Sequence, residues 1–289
     1  MNINIVWPTP EGDRILDRLA KCLAEHTGWS LNSRPLERAD LNYDMSYIDL
    51  AQRFTDWQRT PWAAYFSHFE PDTPYKRFWW ETALPLTRFQ TVTANIYGEM
   101  VPNPIKVLVP VDPVFDIRDR IQSDKRLVGV VGFVEKTGRK NPGIVARLAN
   151  DLDTADIVAS GDGWPARHIN RSLGGMPDFY RQLDVYLCTG LIEGVPMPPL
   201  EALASGIPVV IPRHVGMLDE LPELYGIYRY ECGNYDEMLA TVQQALMFEF
   251  KPEQREALRA SVANYTPENW AISHTKGFER ALESAGTQT

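Results

Sequence analysis

Two glutamates near the middle of the chain, Glu193 and Glu201, stand eight positions apart, and the segment between them is rich in proline. The apolar runs 183–187 before it and 207–211 after it predict two buried strands. Helix-forming residues at 199–205, followed by a glycine as a stop signal, predict a short helix between those strands. The spacing therefore puts one carboxylate in the loop after a strand and the other in the first turn of a helix.

Carboxylates accept hydrogen bonds from hydroxyl groups, so sugars and ribose are natural ligands for such a pair. The N-terminus of the helix carries partial positive charge and free N–H groups, which suit a phosphate or a developing oxyanion. Pro198 and Pro199 fit a first helical turn, where their missing N–H groups are not needed. The alternative is that Glu201 only favours the helix dipole and that Glu193 is a solvated loop residue.

The segment 193–210 reads Glu-Gly-x-Pro-x-Pro-x-Leu-Glu-Ala-x-Ala-x-Gly-x-Pro-Val-Val. It resembles the E-x7-E signature of the retaining glycosyltransferases of family 4, which have the GT-B fold. The resemblance implies that Glu193 contacts hydroxyl groups of a donor sugar and acts in catalysis. It implies that Glu201 contacts the ribose of the donor nucleotide.

The backbone between the two glutamates is expected to take part as well. By the same resemblance, the N–H groups of Gly194, Val195 and Met197 hold the sugar and the phosphate of the donor. Many members of the family have glycine where this chain has Pro196, so one amide donor is lost there.

A basic loop follows a strand predicted at 126–134. In this loop Arg139 and Lys140 stand side by side, after a glycine and before a predicted helix. Adjacent cations beside a helix N-terminus suit a pyrophosphate leaving group, and the resemblance assigns this pair to the donor diphosphate. The family's arginine usually follows the strand directly, where Phe133 stands here, so Lys136 is a reserve candidate. A solvated basic loop is the alternative.

The first half of the chain offers two further candidates. Gly12 follows a strand predicted at 3–7, where a glycine lets the backbone approach a donor phosphate or an acceptor; a plain turn glycine is the alternative. His68 follows a strand predicted at 62–66, where active-site residues collect in open α/β sheets. The resemblance implies that His68 contacts the donor sugar and orients the reacting centre, and a structural histidine is the alternative.

Alternating strands and helices predict an α/β protein, and the resemblance implies two Rossmann-like domains facing a central cleft. We place an N-terminal, acceptor-side domain at 1–120 and a nucleotide-sugar-binding domain at 121–265, joined by a charged linker at 116–125. A C-terminal helix at 266–289 is expected to pack back on the first domain. Further helices are predicted at 14–26, 47–57, 144–150 and 234–248, and further strands at 89–93, 105–110 and 157–159.

Composition narrows the class of protein. The 289 residues carry a net charge of −9 and a pI near 5.1, which argues against a general nucleic-acid binder. Three scattered cysteines without a C-x-x-C pattern predict reduced thiols, and the acidic and histidine residues lack metal-ligand spacing. No apolar run reaches the ~18 residues that span a bilayer. We therefore expect a cytoplasmic protein with no metal and no transmembrane segment.

Together these features predict a metal-independent glycosyltransferase that moves a sugar from a nucleotide diphospho-sugar to an acceptor hydroxyl. Retention at the anomeric carbon is implied by the resemblance alone. No cofactor is expected, since the nucleotide sugar is a substrate, and the acceptor is a glycan, a small molecule or a modified nucleic acid. A hydroxylated nucleic-acid base is one such acceptor, because dense aromatic residues at 57–80 offer stacking surfaces. The same motifs also fit a sugar-nucleotide epimerase or a non-catalytic sugar-nucleotide-binding protein of this fold.

Overall fold

The computed structural model describes residues 1–9, 15–57, 59–170, 172 and 174–286. The chain forms two compact units, one made of residues 1–110 with 265–289 and the other of residues 111–264. Each unit contains one six-stranded sheet, and every strand pairing in both sheets is parallel. The predicted α/β class is therefore confirmed.

The sheet of the first unit has the strand order 2-1-3-4-5-6. Its four central strands are buried on both faces, as expected for a parallel sheet with covered faces. The strands are β1 (Ile3–Val6), β2 (Ser30–Asn32), β3 (Leu41–Asp44), β4 (Trp62–Tyr65), β5 (Phe89–Val92) and β6 (Pro104–Lys106). The helices along these strands are α1 (Ile15–Thr27), α2 (Tyr47–Arg53), α3 (Pro74–Ala83) and α4 (Asn95–Gly98).

The sheet of the second unit has the order β12-β11-β10-β7-β8-β9, which is the Rossmann order 3-2-1-4-5-6 read from the other edge. Its strands are β7 (Arg126–Val131), β8 (Ala155–Ser160), β9 (Arg167–Asn170), β10 (Val185–Leu187), β11 (Val209–Pro212) and β12 (Ile227–Tyr230). The helices of this unit are α5 (Pro142–Asp151), α6 (Met176–Gln182), α7 (Met197–Ala204), α8 (Tyr235–Ala245) and α9 (Pro252–Ser261). Each unit also contains a short 3-10 helix, Leu84–Leu86 in the first unit and Gly216–Glu220 in the second.

The last helix, α10 (Pro267–Gly286), belongs to the first unit although it is far from that unit in sequence. Gly277 allows a close approach to β6, because a Cβ there would lie 2.3 Å from the Cγ2 atom of Ile105. His274 is fully buried, and its Nε2 atom lies 3.1 Å from the Tyr43 hydroxyl. Its Nδ1 atom donates to the Trp270 carbonyl at 2.9 Å. The helix is therefore fixed to this sheet by both packing and buried hydrogen bonds.

Several element bounds differ from those predicted. The charged segment 116–125, where we placed the linker, lies within the second unit: Arg120 lies 3.1 Å from Asp184, and Asp116 lies 3.1 Å from Arg259. Strands β2, β3, β9 and β12 and helices α3, α4 and α9 were not predicted, and α7 begins at Met197, two residues earlier than expected.

Candidate active site

The topological switch point of the second sheet lies at the carboxyl ends of β7 and β10. These strands are neighbours in the sheet, and the direction in which the chain adds strands reverses between them. Ligands of open α/β sheets bind at such a topological switch point, outside the carboxyl ends of the strands. The loops that leave this point, 132–141 and 188–196, carry the predicted cation pair and the first predicted glutamate.

Glu193, Arg139 and Lys140 come together at this place. The Lys140 Nζ atom donates to Oε1 of Glu193, and Nη1 of Arg139 lies 3.5 Å from Oε2 of the same carboxylate. Three further hydrogen bonds join the loops. The Leu191 amide donates to the Arg139 carbonyl at 2.7 Å, the Thr189 hydroxyl donates to the Lys140 carbonyl at 2.7 Å, and Nη1 of Arg139 donates to the Ile192 carbonyl at 3.4 Å. The three side chains therefore form one cluster on two connected loops.

The position of Glu193 depends on two glycines. A Cβ at Gly190 would lie 2.4 Å from Oε1 of Glu193, and a Cβ at Gly216 would lie 1.7 Å from the Glu193 carbonyl oxygen. Gly216 also has a φ of +56°, in the left-handed region that favours glycine. The loop after β11 thus approaches the backbone of Glu193 closely and fixes where its side chain begins.

Glu201 lies in the second turn of α7, not in the first turn as predicted, because the helix begins at Met197. Its carboxylate therefore does not stand at the helix N-terminus. Oε2 of Glu201 accepts a hydrogen bond from the buried Tyr180 hydroxyl at 2.8 Å. Burial raises the pKa of Tyr180 well above its usual value, and the Glu201 charge raises it further, so the phenol stays a donor. Tyr180 orients Glu201, a role that the sequence did not indicate.

Both glutamates lie near one buried tyrosine. Burial raises the pKa of Tyr186 well above its usual value, and the charges of Glu193 and Glu201 are among those that raise it further. Tyr186 is on β10 and only 3% exposed. Both carboxylates are therefore close enough to Tyr186 to act on the same buried side chain.

The backbone donors of this segment are fewer than predicted. Prolines at 198 and 199 occupy the second and third positions of α7 and bring no N–H group to its tip. The Met197 amide already donates to the Val195 carbonyl at 2.9 Å. The Val195 amide makes no hydrogen bond to any residue that the structure describes, and Gly194 is buried. Val195 is thus the best placed of the three predicted amides for a ligand.

His68 belongs to the first unit, where it follows β4. Its Nε2 atom lies 2.9 Å from Oε1 of the buried Glu70, and its Nδ1 atom lies 2.9 Å from the Ser67 hydroxyl. Burial raises the pKa of Glu70, but hydrogen bonds from His68 and Lys76 outweigh it and lower that pKa to about 2. Glu70 is therefore a carboxylate that can only accept, so Nε2 of His68 carries a proton. Both ring nitrogens of His68 have protein partners.

The remaining candidates are placed as follows. Gly12 lies outside the described residues. The reserve candidate Lys136 is exposed, whereas the Arg139 and Lys140 side chains are only 17% and 14% exposed.

Cys22, Cys188 and Cys232 are free thiols. Within the described part of the chain, no group of three or more histidine, cysteine or acidic residues could hold a metal ion. None of the described helices combines the length and apolar character that crossing a bilayer requires.

Sequence reasoning missed the partners that hold the predicted residues. Glu70 and Lys76 fix His68, while Gly190 and Gly216 make room for Glu193. The nearness of Glu70 to His68 in sequence was the one usable signal. The requirement for Gly216 arises from the approach of two distant loops, which no local pattern reveals.

The fold defines a class of protein. The two six-stranded parallel sheets match those of GT-B glycosyltransferases of known structure. Sucrose-phosphate synthase from Thermosynechococcus elongatus superposes with a TM-score of 0.78 at 12% identity, over 98% of this chain and 99% of that one. HepE from Anabaena, solved with UDP and glucose, has a TM-score of 0.70 at 10% identity, over 98% and 100%. A glycosyltransferase from Rickettsia africae has a TM-score of 0.70 at 11% identity, over 97% and 98%.

A sequence comparison is more specific about the second unit. Residues 170–263 match the model of the family described as Glycosyl transferases group 1. The matched region includes Glu193, Glu201 and Gly216, while Arg139 and Lys140 lie before it. No curated protein matches the sequence.

Proposed function

We propose that this protein is a retaining glycosyltransferase that moves a sugar from a nucleotide diphospho-sugar to an acceptor hydroxyl. The observation that carries the proposal is the cluster of Glu193, Arg139 and Lys140 at the switch point of the second sheet. The match of residues 170–263 to the glycosyl transferases group 1 model and the GT-B fold support it. Retention rests on the resemblance to family 4 alone.

The cation pair supplies the charge that the leaving group needs. When the bond between the sugar and the diphosphate breaks, negative charge builds on the diphosphate and positive charge on the sugar ring. Arg139 and Lys140 are fixed donors in a largely buried place, where electrostatic stabilisation is stronger than in water. On this proposal the two side chains replace a metal ion, and the acceptor proton passes to the leaving phosphate.

The carboxylates recognise the neutral parts of the donor. We assign Glu193 to hydroxyl groups of the sugar and Glu201 to the ribose, since ionised carboxylates accept hydrogen bonds from such groups. The Anabaena HepE complex holds UDP and glucose, and a trehalose-phosphate synthase from Burkholderia vietnamiensis is described as UDP-forming. These neighbours make UDP-sugars the first donors to test.

The experiment measures donor hydrolysis and sugar transfer with a panel of nucleotide sugars and with glycan, small-molecule and modified-DNA acceptors. Arg139→Ala and Glu193→Ala are each expected to lower the transfer rate by about 10²-fold or more, because each removes a charged group from the reacting centre. Lys125→Ala is the matched control, since Lys125 is an exposed cation at the amino end of β7. Unchanged rates in both site variants would contradict the proposal.

A second candidate function is a non-catalytic sugar-nucleotide-binding protein. The observation that favours it is the shortage of free amide donors at the start of α7, where Met197 is already bonded and two prolines follow. This candidate predicts donor binding without turnover. Calorimetry that detects donor binding, together with NMR that detects no product over many hours, would support it against the transferase.

A further inference from the structure

Glu193 is held by the two cations assigned to the donor diphosphate. Its side chain is 5% exposed, and it contacts Lys140 through Oε1 and Arg139 through Oε2. Arg139 also contacts Glu135 at 3.2 Å, whereas Glu193 is the one acidic partner of Lys140 among the described residues. The carboxylate proposed to bind the sugar is therefore ion-paired with the cations proposed to bind the diphosphate.

Arg139 and Lys140 cannot fully pair with both the Glu193 carboxylate and a diphosphate at the same time. A diphosphate carries more charge than a carboxylate and offers more acceptor oxygens, so it is the stronger partner for a guanidinium and an ammonium group. A buried carboxylate that loses its cations is costly unless new donors reach it. The hydroxyl groups of a sugar attached to that diphosphate are such donors.

We propose that the donor diphosphate displaces Glu193 from Lys140 and Arg139, and that the released carboxylate then accepts the sugar hydroxyl groups. The inference rests on the proposed function and adds to it that the diphosphate is bound before the sugar. Glu193 becomes a sugar ligand only when a diphosphate holds the cations, so a free sugar without diphosphate meets a carboxylate that is already occupied. Recognition of the two halves of the donor is thereby coupled.

The geometry limits this exchange to side chains. The Glu193 backbone is fixed by the close approach of Gly216, and the Arg139 and Lys140 backbones are fixed by hydrogen bonds from Leu191 and Thr189. Gly190 has no side chain to block the carboxylate, whose Oε1 would lie 2.4 Å from a Cβ at that position. We therefore expect the exchange to need only a change of the Glu193 rotamer.

Inorganic pyrophosphate is the probe, because it presents the diphosphate without base or sugar. Calorimetry of Glu193→Gln is expected to show tighter pyrophosphate binding than the unchanged protein, by about five- to thirty-fold, which corresponds to losing one competing charged hydrogen-bond partner. Sugar transfer by the same variant should fall. Asp162→Asn is the matched control: it removes one exposed carboxylate from the loop after β8, and its affinity for pyrophosphate should change less than twofold.

Gly190→Ala gives a second test that leaves the charge unchanged. Its methyl group would clash with the carboxylate in the position where the carboxylate contacts the cations. We therefore expect that contact to weaken and pyrophosphate binding to tighten again. This variant decides the matter if Glu193→Gln does not fold. Unchanged or weaker pyrophosphate binding in the folded variants would overturn the inference. The proposed function fails separately, if Arg139→Ala and Lys140→Ala bind pyrophosphate as well as the unchanged protein does.

Discussion

The two sheets have the same number of strands but are built from different side chains. The second sheet is aliphatic, with Val128, Val130, Val185, Leu187 and Val210 in one buried cluster. The first sheet buries amides and hydroxyls beside its apolar residues, among them Asn4, Asn42, Gln90 and Thr91. The first sheet therefore adds buried side-chain hydrogen bonds to the apolar packing that both sheets share.

Asparagine side chains of the first sheet hold a loop in a place where a crossover helix is usual. The chain crosses from β2 to β3 through residues 33–40, which contain no helix, although parallel strands are usually joined by one. Asn4 donates to the Arg34 carbonyl, and Asn42 both donates to and accepts from the backbone of Leu36. These side chains satisfy the backbone of a loop that covers a sheet face, which an aliphatic side chain cannot do.

The largest effect is expected at Gly216 of the second unit. Gly216→Ala would place a methyl group 1.7 Å from the Glu193 carbonyl oxygen, so the loop carrying the glutamate must move. A misplacement of about 1 Å costs roughly 10²-fold in rate, and we expect sugar transfer to fall by about 10²- to 10³-fold. Steady-state kinetics of transfer would measure the loss.

Gly233→Ala is the control for Gly216→Ala. Gly233 also has a left-handed φ, of +83°, but nothing lies within 4 Å of its missing side chain. The control should cost about 1–2 kcal/mol of stability with transfer unchanged. Equal losses of transfer in the two variants would show that backbone strain, and not contact with Glu193, is responsible.

The next effect tests the buried amides of the first sheet. Asn42→Leu removes hydrogen bonds to Asn4, Thr60 and the backbone of Leu36, and places an apolar side chain among these polar groups. We expect a loss of about 2–4 kcal/mol in the free energy of unfolding of the first unit. Urea unfolding followed by tryptophan fluorescence reports mainly on this unit, because Trp164 alone of the eight tryptophans lies in the second.

Asn2→Leu is the matched control for Asn42→Leu, since the exposed Asn2 side chain makes one bond, of 3.3 Å, to the Arg38 carbonyl. It should cost less than about 0.5 kcal/mol. A similarly small cost for Asn42→Leu would remove the contrast between the two sheets.

The same contrast explains what could be predicted from sequence. Strands β7, β10 and β11 are apolar runs, and their positions were predicted to within a few residues. Strands β2 and β3 read Ser-Leu-Asn and Leu-Asn-Tyr-Asp, and their polar residues hide the signal on which such predictions depend. In either sheet, hydrophobic patterns detect a strand of apolar residues more readily than a strand that contains polar ones.

The sequence also predicted one part of the candidate site better than another. Glu193, Arg139 and Lys140 were predicted as a group from motif and charge, and the structure brings them into contact. Glu201 was placed one turn too early, because Pro198 and Pro199 were taken for the first residues of a helix that begins at Met197. The start of α7 depends on the backbone conformation of Pro196 and Met197, which composition does not specify.

A smaller effect is expected from pH, and only in the first unit. Burial lowers the pKa of His274 to about 3, whereas an unfolded histidine titrates near 6.5. The unfolded chain therefore binds more protons between these values, and stability falls as the pH is lowered through that window. The contribution of His274 should fall by about 2 kcal/mol between pH 7 and pH 5, as measured by the difference in urea unfolding between the unchanged protein and His274→Gln. Burial raises the pKa of Asp44 and of Asp49, so these two carboxyl groups act in the opposite direction in both proteins.

His274→Gln should flatten this dependence above pH 5, whatever its effect at neutral pH, because glutamine does not titrate. His26→Gln, on the surface of the first unit, should leave the dependence as it is. The carboxylate of Glu70, whose pKa is lowered to about 2, contributes stability that is lost only below about pH 4.5, outside the measured range. An equally large loss of stability towards low pH in His274→Gln would assign the acid sensitivity to another group.

The smallest effect concerns the orientation of His68. Ser67→Ala removes the partner of Nδ1 and leaves the bond from Nε2 to Glu70 intact. One hydrogen bond is worth about 0.5–1.5 kcal/mol, so kcat/KM for transfer should fall by about two- to tenfold with little change in the unfolding free energy. If the serine acts through the ring, the same change in a His68→Ala background should have no further effect. Losses that simply add would mean that Ser67 does not act through the His68 ring.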